Sequence, residues 1–130
     1  MSKTRVLLAD NHEMILQLVR TTLSADFDVI GSVHNGWEAV TEVRRLDPDV
    51  LVIDISMPVL SGLEAVSRLS GSRRTKIVVL TVHEDEEFVS AAFSAGASGY
   101  VTKADLTTDL IPAIREALDG RIYISKSISQ

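Results

Sequence analysis

The sequence predicts an α/β fold of the (βα)5 type, with five parallel strands in one sheet that is covered by helices on both faces. Five short runs of aliphatic or β-branched residues recur along the chain, and each is followed by a stretch with helical spacing of apolar residues. This alternation favours a doubly wound parallel sheet. The chain of 130 residues, 45% hydrophobic and 24% charged, has the size and composition of one globular domain.

The five predicted strands share short length and aliphatic or β-branched side chains, which is typical of strands buried on both faces of a sheet. They are Arg5–Ala9, Asp28–Val33, Val50–Ile53, Lys76–Leu80 and Gly99–Val101.

The segments between these strands carry apolar residues at helical spacing. In the first of them, Met14 and Leu18 fall on one face, with Ile15 and Val19 beside it. The other predicted helices are Trp37–Leu46, Gly62–Leu69, Glu86–Ala95 and Thr107–Leu118.

The domain is expected to occupy residues 1–120. Residues 121–130 have a Ser- and Lys-rich end, which predicts a C-terminal extension or the start of a linker to an output domain outside these residues. No apolar run is long enough for a signal peptide or a membrane span, so a cytoplasmic location without membrane contact is expected. The chain has no cysteine, which excludes disulfides and thiolate metal sites.

The charge balance argues against a general nucleic-acid surface. The formal net charge is -5, whereas phosphate binding depends on clustered Lys and Arg. The longest basic cluster, Arg73 and Arg74 with Lys76, is expected to be a solvated loop.

An acidic residue follows each of two predicted strands. The aliphatic run Val50–Ile53 ends in Asp54, and the first strand ends at Asp10. We expect the flavodoxin-like strand order 2-1-3-4-5, an order taken from known doubly wound sheets, which makes the first and third strands neighbours. The two carboxylates should then meet at the carboxyl edge of the sheet.

Two carboxylates at one edge require a cation to remain ionised together. Lys103 follows the fifth strand and Thr81 ends the fourth, so we expect both to converge on Asp10, Asn11 and Asp54. Oxygen ligands of this kind suit Mg²⁺. An aspartate beside Mg²⁺ and a lysine can act as a nucleophile towards a phosphoryl donor, so the residues predict phosphorylation of a carboxylate.

Four segments together resemble one known family. LLADNHEM, DISMPVLSG, VVLTVH and GASGYVTKAD resemble the receiver domain of two-component response regulators, which has a CheY-like fold, and the resemblance covers nearly the whole chain. Their details are most similar to the NarL or FixJ branch, whose receivers are followed by a LuxR-type helix-turn-helix.

The resemblance implies a role for each residue at the strand ends. Asp54 would accept a phosphoryl group from a sensor histidine kinase or a small phosphodonor. Asp10 and Asn11 would occupy the paired metal positions, with the backbone carbonyl of Ser56 as a further Mg²⁺ ligand. The site would make the protein a regulatory phosphoacceptor rather than an enzyme in the usual sense.

The resemblance also implies a switch. Thr81 and Lys103 would contact phosphoryl oxygens, and Tyr100 would move inward and change the face formed by the fourth helix, fifth strand and fifth helix. The expected consequences are homodimerisation on activation and control of a DNA-binding output domain outside these residues, in transcription regulation.

The sequence departs from the family pattern at two positions. Asn11 stands where an acidic residue is usual, which lowers the negative charge of the metal site. An alternative is therefore an atypical receiver that acts as an interaction module without phosphorylation. Ala104 stands where many receivers have proline, so we expect no cis bond after Lys103.

The three histidines are expected to have structural roles, and two enzyme classes fit the sequence poorly. His12, His34 and His83 lack metal-ligand spacing and are expected in turns or on the surface, with His83 near the rim of the site. Asp10 could cap the first helix at its N-terminus and Asn11 fits that role as well, which is compatible with metal binding. A flavodoxin would need a phosphate-cradling loop after the first strand, and a haloacid-dehalogenase-type phosphatase a second aspartate two residues after the first, so both enzymes fit poorly.

Overall fold

A computed structural model describes residues 3–71 and 74–129 of the chain. The strands are β1 (Thr4–Ala9), β2 (Phe27–Val33), β3 (Val50–Ile53), β4 (Lys76–Thr81), β5 (Gly99–Thr102) and β6 (Tyr123–Ile124). The helices are α1 (Glu13–Leu23), α2 (Gly36–Leu46), α3 (Gly62–Leu69), α4 (Glu86–Ala95), α5 (Leu106–Leu118) and α6 (Lys126–Ser129), and a 3-10 turn covers Lys103–Asp105.

The strands form one parallel sheet in the order β2-β1-β3-β4-β5-β6. The predicted order of the first five strands is confirmed. The predicted number of strands is wrong, because Tyr123 and Ile124 pair with Gly99 and Tyr100 as a sixth strand. A two-residue strand is too short to produce a periodic pattern in the sequence.

Helices cover both faces of the sheet, and the alternation of side chains along each strand supplies both cores. Leu7 and Ile53 face the core beneath α2, α3 and α4, whereas their neighbours Val6 and Val52 face the core beneath α1 and α5. This two-sided burial explains why β3 is aliphatic throughout.

Side chains cap the N-termini of α2 and α3 but not that of α1. The side chain of Asn35 accepts the backbone N–H of Glu38 at the start of α2, and that of Ser61 accepts the N–H of Glu64 at the start of α3. The N-cap position of α1 is His12, whose side chain makes no capping hydrogen bond. Neither Asp10 nor Asn11, the two candidates for a cap, occupies this position.

Parts of two sequence predictions lie outside the described residues. These are Arg73 of the basic cluster and Gln130 at the end of the predicted extension. Residues 3–71 and 74–129 contain no helix with the length and apolarity needed to cross a bilayer.

Candidate functional site

Two buried carboxylates lie side by side at the carboxyl edge of the sheet. Ala9 and Ile53 are register partners in β1 and β3, so the residues that follow them, Asp10 and Asp54, leave the sheet together. Only 4% of Asp10 and 3% of Asp54 is exposed. Burial of two like charges at one place requires a compensating cation.

Lys103 supplies that cation from the end of β5. Its Nζ lies 2.9 Å from Oδ2 of Asp10 and 3.1 Å from Oδ2 of Asp54, and only 8% of its side chain is exposed. The ammonium therefore bridges the two carboxylates. Removing one member of such a buried ionic group leaves uncompensated charge, which costs about 3–5 kcal/mol in typical proteins.

The other oxygen of each carboxylate is held by the backbone. Oδ1 of Asp10 accepts the N–H of His12 at 2.9 Å, and Oδ1 of Asp54 accepts the N–H of Ser56 at 3.2 Å. Each aspartate thus bonds the amide two residues later, as aspartates do in turns. The two carboxylates present one oxygen to Lys103 and the other to the loop that follows their own strand.

His12 lies closer to this site than the sequence predicted. Its Nδ1 is 3.0 Å from Oδ1 of Asp10, and ligand atoms of Asp10, His12 and Asp54 all lie within 4.8 Å of one another. The side chain of His12 is 61% exposed, so it is on the surface as expected, but at the mouth of the site. Asn11, the predicted second metal position, is exposed. The sequence signal for this proximity was that His12 follows Asp10 by two positions.

The loops after β3 and β4 meet at the rim of the site. Oγ of Ser56 lies 2.7 Å from Nε2 of His83, and the His83 ring stacks on Phe88 at 4.3 Å between centroids. The hydroxyl of the fully buried Thr81 accepts the backbone N–H of His83 at 3.4 Å. The expectation that His83 approaches the rim is confirmed, and the structure connects it to Ser56 and Thr81.

Tyr100 lies beneath this rim. Its side chain is fully buried, and its hydroxyl donates to the backbone carbonyl of His83 at 2.9 Å. Burial, together with the negative charges of Asp54 and Asp85, raises the pKa of Tyr100 to about 12. The phenol is therefore neutral at physiological pH and can serve as a donor.

Ala104 is the second residue of the 3-10 turn that begins with Lys103. The peptide bond between Lys103 and Ala104 is trans, in agreement with the prediction, and the turn leads directly into α5.

Comparison with known families matches residues 6–115 to the response regulator receiver domain. The chain belongs to this family. The resemblance deduced from the motifs is confirmed. A receiver is a regulatory domain.

Individual relatives agree with this assignment. The receiver is 38% identical over 130 residues to the response regulator GacA of Pseudomonas viridiflava, a match that covers 97% of this chain and 60% of that protein. The crystal structure of a LuxR-family response regulator from Aurantimonas is 32% identical, with a TM-score of 0.91 and coverage of 99% of this chain and 94% of that one.

A third relative is the isolated receiver of RcsB from Salmonella enterica, solved in the presence of the phosphomimetic BeF3-. It is 25% identical, with a TM-score of 0.87, and the match covers 98% of this chain and 97% of that one. Since the chain spans about 60% of the length of GacA, the comparison with that protein concerns the receiver portion.

Proposed function

We propose that the receiver accepts a phosphoryl group on Asp54 in a Mg²⁺-dependent reaction and uses it to change the face formed by α4, β5 and α5. The observation that carries the proposal is the bridge made by Lys103 between the buried carboxylates of Asp10 and Asp54. A site of this charge pattern neutralises a transferring phosphoryl group.

The reaction forms an aspartyl phosphate. A carboxylate oxygen of Asp54 attacks the phosphorus of the donor, which is a phosphohistidine of a sensor kinase or an acyl phosphate. The bond from phosphorus to the donor nitrogen or oxygen breaks, and its electron pair leaves with the imidazole or the carboxylate. Hydrolysis of the resulting anhydride returns Asp54 and inorganic phosphate.

The donor set fits Mg²⁺. The carboxylates of Asp10 and Asp54 and the backbone carbonyl of Ser56 would hold the ion, which would neutralise charge on the phosphoryl oxygens. Both carboxylates are buried and oriented by backbone amides, so the hard oxygen ligands that Mg²⁺ prefers are in place. Asn11 contributes no charge, and we expect it to weaken Mg²⁺ binding without abolishing it.

Thr81, Lys103 and Tyr100 connect phosphorylation to the surface. Lys103 pairs with phosphoryl oxygens in addition to Asp10, and the hydroxyl of Thr81 turns towards the same group. Thr81 then ceases to accept the hydrogen bond from the backbone N–H of His83. The backbone carbonyl of the same His83 accepts the hydrogen bond from the hydroxyl of Tyr100. The added charge of about -2 therefore acts on the loop that precedes α4.

The proposal includes partners outside these residues. A histidine kinase supplies the phosphoryl group, the phosphorylated receiver forms a homodimer, and residues 121–130 lead to a DNA-binding output domain, all in the cytoplasm. The greater length of GacA and the LuxR-family assignment of the Aurantimonas relative support this arrangement. The phosphomimetic used with the RcsB receiver supports the phosphoacceptor role.

The test is intact-mass measurement after incubation with acetyl phosphate and Mg²⁺. We expect a phosphoryl adduct that is lost in Asp54→Asn and in a metal-free sample. Asp109→Asn is a matched control, because Asp109 is as buried as Asp54. Its carboxylate accepts the backbone N–H of Lys126, whereas that of Asp54 contacts the ammonium of Lys103. This variant should retain the adduct.

The opposite result is equally informative. If an ordinary receiver is modified under the same conditions and this chain is not, the phosphoacceptor role is wrong and the atypical interaction module takes its place. An adduct on Asp54→Asn would place the phosphoryl group on another residue.

A further inference from the structure

We propose that residues 123–128, which form a C-terminal strap over the edge of β5, are released from that edge when Asp54 is phosphorylated. The strap contains β6 and the first residues of α6. The inference rests on the proposed function and deepens it, because it names the segment that responds to the phosphoryl group and the contacts that connect this segment to the site.

The strap occupies the outer edge of β5 through its backbone. The N–H of Tyr123 donates to the carbonyl of Ser98 at 3.0 Å, and the N–H of Ser125 donates to the carbonyl of Tyr100 at 2.8 Å. The hydroxyl oxygen of Ser125 accepts the N–H of Thr102 at 3.3 Å. Because an open strand edge is a surface on which other segments pair, release of the strap would expose a new binding edge.

The apolar side of the strap is only partly packed. Ile124 and Ile128 are half-buried against the core beneath α4, and they border an open groove of about 500 Å³ whose other wall includes Val89 and Phe93. A segment with incomplete apolar burial opens at a lower free energy than the core of the domain. Residues 119–122, which connect the strap to α5, are exposed, so the strap can leave while α5 stays in place.

Two carboxylates hold the strap by hydrogen bonds. Oδ2 of Asp105 accepts the hydroxyls of Ser125 and Ser127, each at 2.6 Å. Oδ2 of Asp109 accepts the backbone N–H of Lys126 at 2.9 Å. Asp109 lies in α5, whereas Asp105 ends the 3-10 turn that follows β5. One of the two anchors therefore belongs to a turn that begins at the site.

The 3-10 turn connects this anchor to the phosphoacceptor. Lys103 begins the turn, and its Nζ lies between the Oδ2 atoms of Asp10 and Asp54 with only 8% of the side chain exposed. A phosphoryl group brings a charge of about -2 and three acceptor oxygens, which draw the ammonium to a new position. Since close-packed surroundings transmit such a displacement, the turn moves and Asp105 withdraws from the hydroxyls that it holds.

Tyr100 gives a second connection along β5. Its hydroxyl donates to the carbonyl of His83, its own carbonyl accepts the N–H of Ser125, and its register partner in β6 is Ile124. When Thr81 turns to the phosphoryl group and releases the N–H of His83, the loop that holds the phenol is free to shift. The strap contacts fit the arrangement that precedes this shift, so both connections favour release.

Hydrogen exchange measured by NMR tests the release. With acetyl phosphate and Mg²⁺ supplied throughout, the amides of Tyr123, Ser125 and Lys126 should exchange at least about fivefold faster, which is the lower end of typical allosteric coupling. The control is the amide of Asp49, which donates to the carbonyl of Arg5 at the amino edge of the sheet. Its exchange should stay unchanged.

Variants of the anchor test the connection through the turn. Asp105→Asn should retain the phosphoryl adduct, but its strap amides should exchange fast before phosphorylation and gain nothing from it, because the anchor that the turn moves is already lost. Asp119→Asn is the matched control, since Asp119 pairs with the exposed Arg121 and should leave the wild-type response intact. Ser127→Ala, which removes an exposed hydroxyl from the same anchor, replaces Asp105→Asn if that variant does not fold.

The possible results separate the two proposals. An adduct on Asp54 with strap amides that exchange at their former rate, or more slowly, would refute strap release and leave the proposed function intact. Equal acceleration at the amide of Asp49 would mean general loosening and would also refute it. Absence of the adduct would refute the proposed function, and strap release with it.

Discussion

The hydroxyl of Tyr100 donates a hydrogen bond of 2.9 Å to the backbone carbonyl of His83. Tyr100 lies on β5, whereas His83 lies in the loop between β4 and α4. The ring of His83 also contacts the hydroxyl of Ser56, and its backbone N–H donates to the hydroxyl of Thr81. The bond therefore joins the buried ring of β5 to a loop that borders the two carboxylates.

Replacing Tyr100 by Phe should destabilise the protein modestly. The ring packing is kept, but the buried carbonyl of His83 loses its donor, which typically costs about 1–2 kcal/mol in the free energy of unfolding. Urea denaturation of both proteins measures this difference. Equal stability of the variant and the wild type would mean that solvent replaces the phenol at this carbonyl.

Alkaline pH should destabilise the wild type more than Tyr100→Phe. Burial, with the charges of Asp54 and Asp85, raises the pKa of Tyr100 from 10.0 to about 12. A raised pKa means that the contribution to stability is fully present below pH 10 and is lost as the pH rises through 12. The loss should reach about 2–3 kcal/mol, by the usual conversion of pKa to free energy. Denaturation at stepped pH tests this, and parallel curves for both proteins would contradict it.

Replacing Lys103 by Met should destabilise the protein and make its stability depend on divalent cations. Asp10 and Asp54 would face each other without the ammonium that now bridges them. The expected loss is about 3 kcal/mol, as for other buried ionic groups that lose one partner. Added Mg²⁺ should then raise the thermal midpoint more in the variant than in the wild type.

Lys76→Met is the control for the lysine prediction. Lys76 begins β4 at the amino edge of the sheet, away from the carboxylates, so its removal should give no additional response to Mg²⁺. A Lys103→Met protein that is as stable as the wild type, or insensitive to Mg²⁺, would refute the bridging role.

The fold and the centre of the site could be predicted because both follow from repeated patterns. Alternation of strands and helices determines the class of the sheet, and the doubly wound order brings the ends of β1 and β3 together. Asp10 and Asp54 therefore had to be neighbours, and Lys103 followed as the cation that such a pair requires.

The parts that could not be predicted depend on side-chain direction or on very short elements. His12 faces Asp10 because the backbone turns after β1, and no periodic pattern records that turn. The strand β6 has two residues, and its pairing with β5 depends on contacts that a local pattern does not contain.

Gly62→Ala should disturb the loop that carries Asp54. A Cβ at Gly62 would lie 1.9 Å from the backbone oxygen of Asp54 and 2.8 Å from Cα of Ile55. Moving these backbone atoms away costs energy because the rest of the segment must move with them, so the loop or α3 must shift. We expect a loss of about 1–3 kcal/mol in unfolding free energy and a lower yield of aspartyl phosphate.

Gly31→Ala is the control for the glycine prediction. The nearest atom to its added Cβ, Cδ1 of Leu7, is 3.5 Å away, which is ordinary contact distance. This variant should keep the stability and phosphorylation of the wild type. If Gly62→Ala behaves like Gly31→Ala, the close approach of α3 to Asp54 does not constrain the site.

Asp105 connects the turn after Lys103 to the C-terminal segment. Its Oδ2 accepts the hydroxyls of Ser125 and Ser127, each at 2.6 Å, and that of Thr102 at 3.2 Å. Hydrogen bonds from Ser125 and Ser127 lower the pKa of Asp105 below its ordinary 3.8. The carboxylate therefore holds β6 and the start of α6 near the end of β5.

Asp105→Ala should loosen this C-terminal segment without unfolding the sheet. Hydrogen exchange at the amide of Ser125, which donates to the carbonyl of Tyr100 at 2.8 Å, should accelerate. Because the pKa of Asp105 is lowered, its contribution is present above pH 3.8 and is lost as the pH falls through the lower folded value. Acid should therefore reduce the protection of this amide against exchange in the wild type but not in Asp105→Ala. Asp119→Ala, which removes an exposed partner of Arg121, should leave this amide unchanged. Equal exchange in all three proteins would show that pairing with β5 alone holds the segment.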